Sequence, residues 1–191
     1  MKKPLLIFAA IACCAILSVF LTSCDKENNP GGGGGNGGGG NAVDNKSTAV
    51  EMTYNVAVHD DFFKYLVSYV EYYDGNGKVQ KEKMTSKKWT KTVKANLPVT
   101  LGFRMYFNEK TGVNPVDSKI DARWESGYSA EFLNAQGAKT IDYSGDSKLE
   151  GYDVPSKNFD AWFDRDKGKY MCSMLLKIDA NANLTKEAWN N

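Results

Sequence analysis

The side chains able to do chemistry are few and scattered. The chain has one histidine, His59, in the stretch HDDFF. A Ser-His-Asp or Cys-His arrangement needs that imidazole beside a nucleophile. His59 ends a predicted strand on the polar side, and nothing near it in sequence nominates such a nucleophile, so it reads as a surface residue. Of four cysteines, Cys13, Cys14 and Cys24 lie near the N-terminus, leaving Cys172 alone in the rest of the chain. An alternating apolar pattern puts Cys172 on one face with Tyr170, Met174 and Leu176, which points to a buried, inert thiol. So few nitrogen and sulfur ligands do not make a zinc site. The stretch DRDKG, with Asp164, Asp166 and Gly168, opens like a calcium loop but lacks the later acidic ligand, and DGNG is equally incomplete. Both read as turns, and no metal or cofactor is expected. Fourteen aspartates and nine glutamates leave room for a catalytic carboxylate pair, yet no motif marks one.

Aromatic residues, 12% of the chain, offer a different chemistry, because exposed coplanar rings stack on sugar faces. Most rings share the apolar side of their strands and are core by pattern. Tyr106, Trp162 and Trp189 escape it, with Tyr72 or Tyr73 beside a turn. These three are the candidate ligand-binding residues.

The elements that must position these groups begin near Val50, where the dominant period becomes two. Val50, Met52, Tyr54, Val56 and Val58 fall on one side of a first strand. Leu97, Val99, Leu101, Phe103, Met105 and Phe107 do so in a second. Trp124, Tyr128, Ala130 and Phe132 mark a third, and Tyr170 to Ile178 a fourth. Such alternation is the mark of antiparallel strands with one buried face. The run FFKYLVSYVEYY, Phe62 to Tyr73, is apolar on both sides and predicts a central strand. DGNGK then supplies a hairpin turn. The lysine-rich VQKEKM and KWTKTVKA read as edge strands, where lysine discourages pairing with a second molecule. KTIDY is a further short strand. NFDAWF spaces Phe159, Trp162 and Phe163 for one helical turn, and LTKEAWNN suits either a short helix capped by Thr185 or a disordered end. Seven or eight strands with turns between them predict an all-β, immunoglobulin-like antiparallel sandwich, with a jelly roll as the alternative.

The N-terminal 48 residues follow other rules. Lys2 and Lys3 precede an apolar run, Leu5 to Leu21, broken only by Ser18. That is the layout of a secretory signal, and 17 residues is at the short edge of a membrane span. The residues after it, Leu21, Thr22, Ser23 and Cys24, resemble the lipobox of bacterial lipoproteins. The resemblance implies cleavage before Cys24 and a diacylglyceryl group on its sulfur, an anchor of two chains that suffices for stable attachment. It divides the chain into a signal peptide, 1–23, a lipidated cysteine with its tether, 24–48, and one sandwich domain, 49–191. Asp25, Lys26 and Glu27 resemble, in composition and position, the acidic export signal of Bacteroidota-type surface lipoproteins. This implies the outer cell surface, with the periplasmic face of a membrane as the alternative. Gly31 to Gly40, interrupted only by Asn36, has no preferred conformation. It lacks the flanking strand, helix and Lys-Ser or Lys-Thr pair of a phosphate loop, and it reads as slack between membrane and domain.

Loss of residues 1–23 removes two lysines and no acid, leaving 22 basic and 23 acidic residues. That near-neutral balance carries no electrostatic footprint for nucleic acid. The expected role is binding rather than catalysis. A protein-interaction or adhesion module is favoured over a glycan-binding accessory lipoprotein for polysaccharide uptake, and both over a small hydrolase.

Overall fold

A computed structural model describes residues 45–145 and 147–189. The signal, Cys24 and the glycine tether lie outside the described residues. Strand β1 (Ala49–Val58) is followed by a one-turn helix α1 (Asp60–Tyr65). Then come β2 (Leu66–Tyr73), β3 (Val79–Lys83), β4 (Lys88–Asn96), β5 (Val99–Lys110) and β6 (Lys119–Leu133). After β7 (Lys139–Ser144) and β8 (Lys148–Pro155), a 3-10 turn leads into α2 (Phe159–Asp166), β9 (Tyr170–Ile178) and β10 (Leu184–Glu187).

All pairings are antiparallel and form two five-stranded sheets. The first runs β4-β1-β6, with β7 and β8 both on the far side of β6; the second runs β10-β9-β5-β2-β3. In an immunoglobulin sandwich of seven strands, the second neighbours the fifth in one sheet, and the third, sixth and seventh are neighbours in the other. The pairings β1–β4 and β2–β5–β9 reproduce that core. Strand β6 departs from it by returning to the outer side of β1, the place the immunoglobulin order gives its first strand.

The inward residues of both sheets make one core, with Tyr54, Phe62, Phe103, Phe107 and Phe132 fully buried. The Tyr54 hydroxyl crosses between sheets to accept the Gly102 N–H at 3.1 Å. Burial raises its pKa further above the ordinary tyrosine value. Gly102 is required there, since a Cβ would lie 2.3 Å from the Met174 carbonyl oxygen.

Three hairpins use one turn design. Asp74, Asn134 and Asp179 each accept, on side-chain Oδ1, the N–H groups two and four residues on. In each, the fourth residue has positive φ: Gly77 at 73°, Gly137 at 80° and Ala182 at 64°. The Asp74–Lys78 turn was legible from DGNGK, whereas NAQGA and DANAN conceal the same chemistry.

Two sequence expectations are corrected. Phe62 to Tyr73 is not one strand, because its first residues form α1. Asp60 and Asp61 in the first turn and Lys64 in the last suit the helix dipole, and Phe62 and Tyr65 bury on one side. The second correction is at LTKE, which is strand β10 rather than a helix or loose end, laid along β9 by the Asp179 turn. Among the described residues ten strands form, against an expectation of seven or eight, with β8 among those not foreseen. The lysine-rich strands β3 and β4 do lie at sheet edges.

At that edge the sheets are clasped by one carboxylate. Glu82 on β3 accepts from the Tyr72 hydroxyl at 2.7 Å, Trp89 Nε1 at 2.9 Å and Lys91 Nζ at 2.6 Å. The Lys91 ammonium is the main reason its pKa is pulled down to about 2.

Candidate functional site

The solvent-facing side of an antiparallel sheet is ordinarily polar. On the β10-β9-β5-β2-β3 sheet it instead carries a row of aromatic rings and cations. Tyr170, Tyr106 and Tyr69 are cross-strand neighbours on β9, β5 and β2. Tyr69 and Tyr106 stack with centroids 5.7 Å apart, and Tyr170 meets Tyr106 edge-on at 5.6 Å. Lys81 Nζ caps Tyr69 at 4.5 Å and Tyr106 at 5.3 Å.

A parallel row runs beside it. Arg104 donates through Nε to Glu71 at 2.9 Å, and its guanidinium carbon lies 4.0 Å from the Tyr170 centroid and 4.4 Å from that of Trp189. Trp189 also stacks on Tyr73 at 4.5 Å. The Tyr69 hydroxyl donates to Glu109 at 2.8 Å and the Tyr170 hydroxyl to Glu71 at 3.3 Å. Burial, helped by the Glu71 charge, raises the pKa of Tyr170, and the bond to Glu109 raises that of Tyr69. Both phenols are therefore neutral donors at physiological pH. The rings and charges of this surface are braced against one another.

The three candidate ligand-binding residues fall in different places. Tyr106 belongs to the row but is only 7% exposed, enclosed by its tyrosine neighbours. Trp189 belongs to it at the chain's C-terminal end, its carbonyl accepting from Ser173 at 3.2 Å. Trp162 does not. It is 5% exposed and packs on Phe107 with centroids 5.1 Å apart, while its Nε1 donates to the Tyr152 hydroxyl at 2.9 Å. The helical spacing of Phe159, Trp162 and Phe163 drives all three into the end of the sandwich. Cys24 lies outside the described residues.

Tyr170 is the residue the strand pattern misassigned. Simple alternation puts it inward with Cys172. A bulge breaks that alternation, because Met105 pairs with Cys172 and Tyr106 with Tyr170, leaving Met171 as the extra residue. Tyr170 is thereby turned outward. Arg104 was visible as an outward residue of its strand, whereas Tyr69 lay in a run that reads as apolar on both sides, and nothing in the sequence joined them.

The other chemical candidates are accounted for locally. His59 is exposed, with Nε2 3.4 Å from Asp121 Oδ2. Cys172 is buried on the wall of an opening of about 500 Å³ between β8 and β9. Burial pushes its thiol up to about 12. Asp164 pairs with Lys167 at 3.0 Å, and Asp166 is held by Arg165 and Lys169. Gly168, at φ 76°, completes that turn. Among the described residues no group of three or more His, Cys, Asp or Glu is placed to hold a metal. No protein-family model matches the chain, and comparison with curated proteins and with solved structures gives no match either.

Proposed function

We propose that the protein is a lipid-anchored module of the bacterial cell surface that works by binding a protein partner rather than by catalysis. The LTSC stretch supports the anchor, and the glycine run supports a domain held off the membrane at tether length. The aromatic and cationic row across β9, β5, β2 and β3 is the observation that carries the binding reading. Tyrosine, tryptophan and arginine are enriched among the few residues that dominate the energy of protein interfaces. Rings already braced by neighbours lose little further entropy on contact.

A protein partner is favoured over a glycan by the state of the ring faces. Sugar stacking needs a free face, whereas Trp189 is engaged by Tyr73 and Arg104, and Tyr69 and Tyr106 by each other and Lys81. An interface built from ring edges, hydroxyls and cation heads uses what remains exposed.

The anchor and the partner are tested separately. Labelling growing cells with a palmitate analogue should mark the wild type and leave Cys24→Ser unlabelled. External protease should digest the wild type on intact cells, and full protection would place the domain on the periplasmic side. A photo-crosslinking residue at position 81 should give a discrete protein adduct on intact cells, while one at position 92 gives none. Equal adducts at both positions, or none at 81, would remove the row as the contact surface.

A further inference from the structure

The opposite face of the sandwich carries a separate feature that the row does not explain. On the outer side of the β4-β1-β6 sheet, cross-strand register lines up Lys88, Ala57 and Glu125, and beside them Thr90, Asn55 and Gly127. Ala57 and Gly127 are the small members of these two ranks. Both line a cleft of about 380 Å³, with Ser129 also on its wall. That volume lies within the usual range for small-molecule sites, about 300–1,000 Å³.

The polar groups around the dent are arranged rather than merely present. Thr90 Oγ1 donates to Asn55 Oδ1 at 3.0 Å, which engages the amide oxygen and leaves the NH₂ of this lining residue as its donor group. Glu125 uses one carboxylate oxygen to accept from the Ser147 hydroxyl and keeps the other. Lys88 makes no ion pair among the described residues. The opening thus offers an amide donor, an ammonium donor, a carboxylate acceptor and the Ser129 hydroxyl.

The charges select the ligand class. One cation and one anion flank the same small residue, so a ligand of either net charge meets repulsion as well as attraction. The polar rim disfavours an apolar ligand, which would leave these groups desolvated without partners. A neutral polyhydroxylated ligand matches, because each sugar hydroxyl can donate and accept at once. We propose that this cleft is a binding site for a neutral glycan, using Asn55, Lys88 and Glu125 as its hydrogen-bonding groups over the Ala57–Gly127 floor.

The site is on the opposite sheet from the aromatic row, so the two can fail independently. The test is native electrophoresis of the full chain in nonionic detergent, through gels containing dextran, yeast α-mannan, arabinoxylan or mixed-linkage β-glucan. At least one polymer should retard the wild type. Asn55→Ala should weaken that retardation about 3- to 10-fold, the effect of one lost hydrogen bond. Ala57→Gln, which fills the floor from a solvent-facing position, should abolish it. Tyr69→Ala, on the other face, should leave it unchanged. Free migration of the wild type in all four gels overturns the proposal. So does retardation that survives Asn55→Ala and Ala57→Gln, or that Tyr69→Ala removes.

Discussion

The Glu82 clasp gives a pH-dependent stability that can be worked from the structure. Replacing Glu82 with Gln keeps the shape but removes the charge that Lys91, Trp89 and Tyr72 all address. The difference between about 2 and the ordinary 4.5 corresponds to a ceiling of about 3 kcal/mol, at 1.36 kcal/mol for each tenfold change in proton affinity. The carboxylate side chain is 37% exposed, so solvent screening lowers the expected contribution to about 1–2 kcal/mol. The folded-state pKa lies below the unfolded one. The stabilisation is therefore fully present above about pH 5 and is lost as the pH falls towards 2. Urea unfolding followed by tryptophan emission should find Glu82→Gln less stable than wild type by about 1–2 kcal/mol at pH 7. At pH 3 the difference should shrink to less than half of that. A difference equal at both pH values would refute the electrostatic origin. A variant as stable as wild type at pH 7 would refute the clasp itself.

Ala182 is the one non-glycine residue with positive φ among those described, at the position filled by glycine in the two sister turns. Ala182→Gly should raise the unfolding free energy by about 0.5–1 kcal/mol as left-handed strain is relieved, measured by the same urea titration. Gly102→Ala should cost more than about 2 kcal/mol, because the new Cβ meets the Met174 carbonyl oxygen at 2.3 Å and the backbone must shift. Thermal unfolding would show it as a lowered midpoint. The Cys172 thiol, buried and pushed up to about 12, should resist Ellman's reagent at pH 8 in the folded protein. It should react within minutes once urea unfolds the chain.

What the sequence determined by itself is the side that β1, β5 and β6 bury and several of the places the chain turns. Alternation from Val50, Leu97 and Trp124 marks residues that are indeed inside, because a pleated strand sends successive side chains to opposite faces. The lysines of β3 and β4 mark sheet edges for an equally local reason, since an unpaired strand must repel a second molecule. DGNGK specifies its hairpin through residues that tolerate positive φ.

Other features were decided only by the tertiary structure. Phe62 to Tyr65 became helix because the end of the core takes Phe62 and Tyr65 from one side. Trp162 became core because α2 closes the same end. Tyr170 faces outward because a single bulged residue, Met171, reverses its parity against β5. The row of Tyr69, Tyr106 and Tyr170 comes from three strands far apart in the chain, and the cleft over Ala57 and Gly127 from three others. Local pattern states which way a side chain points. Which strands become neighbours, and in what register, depends on the packing of both sheets together, and that arrangement assembles both surfaces.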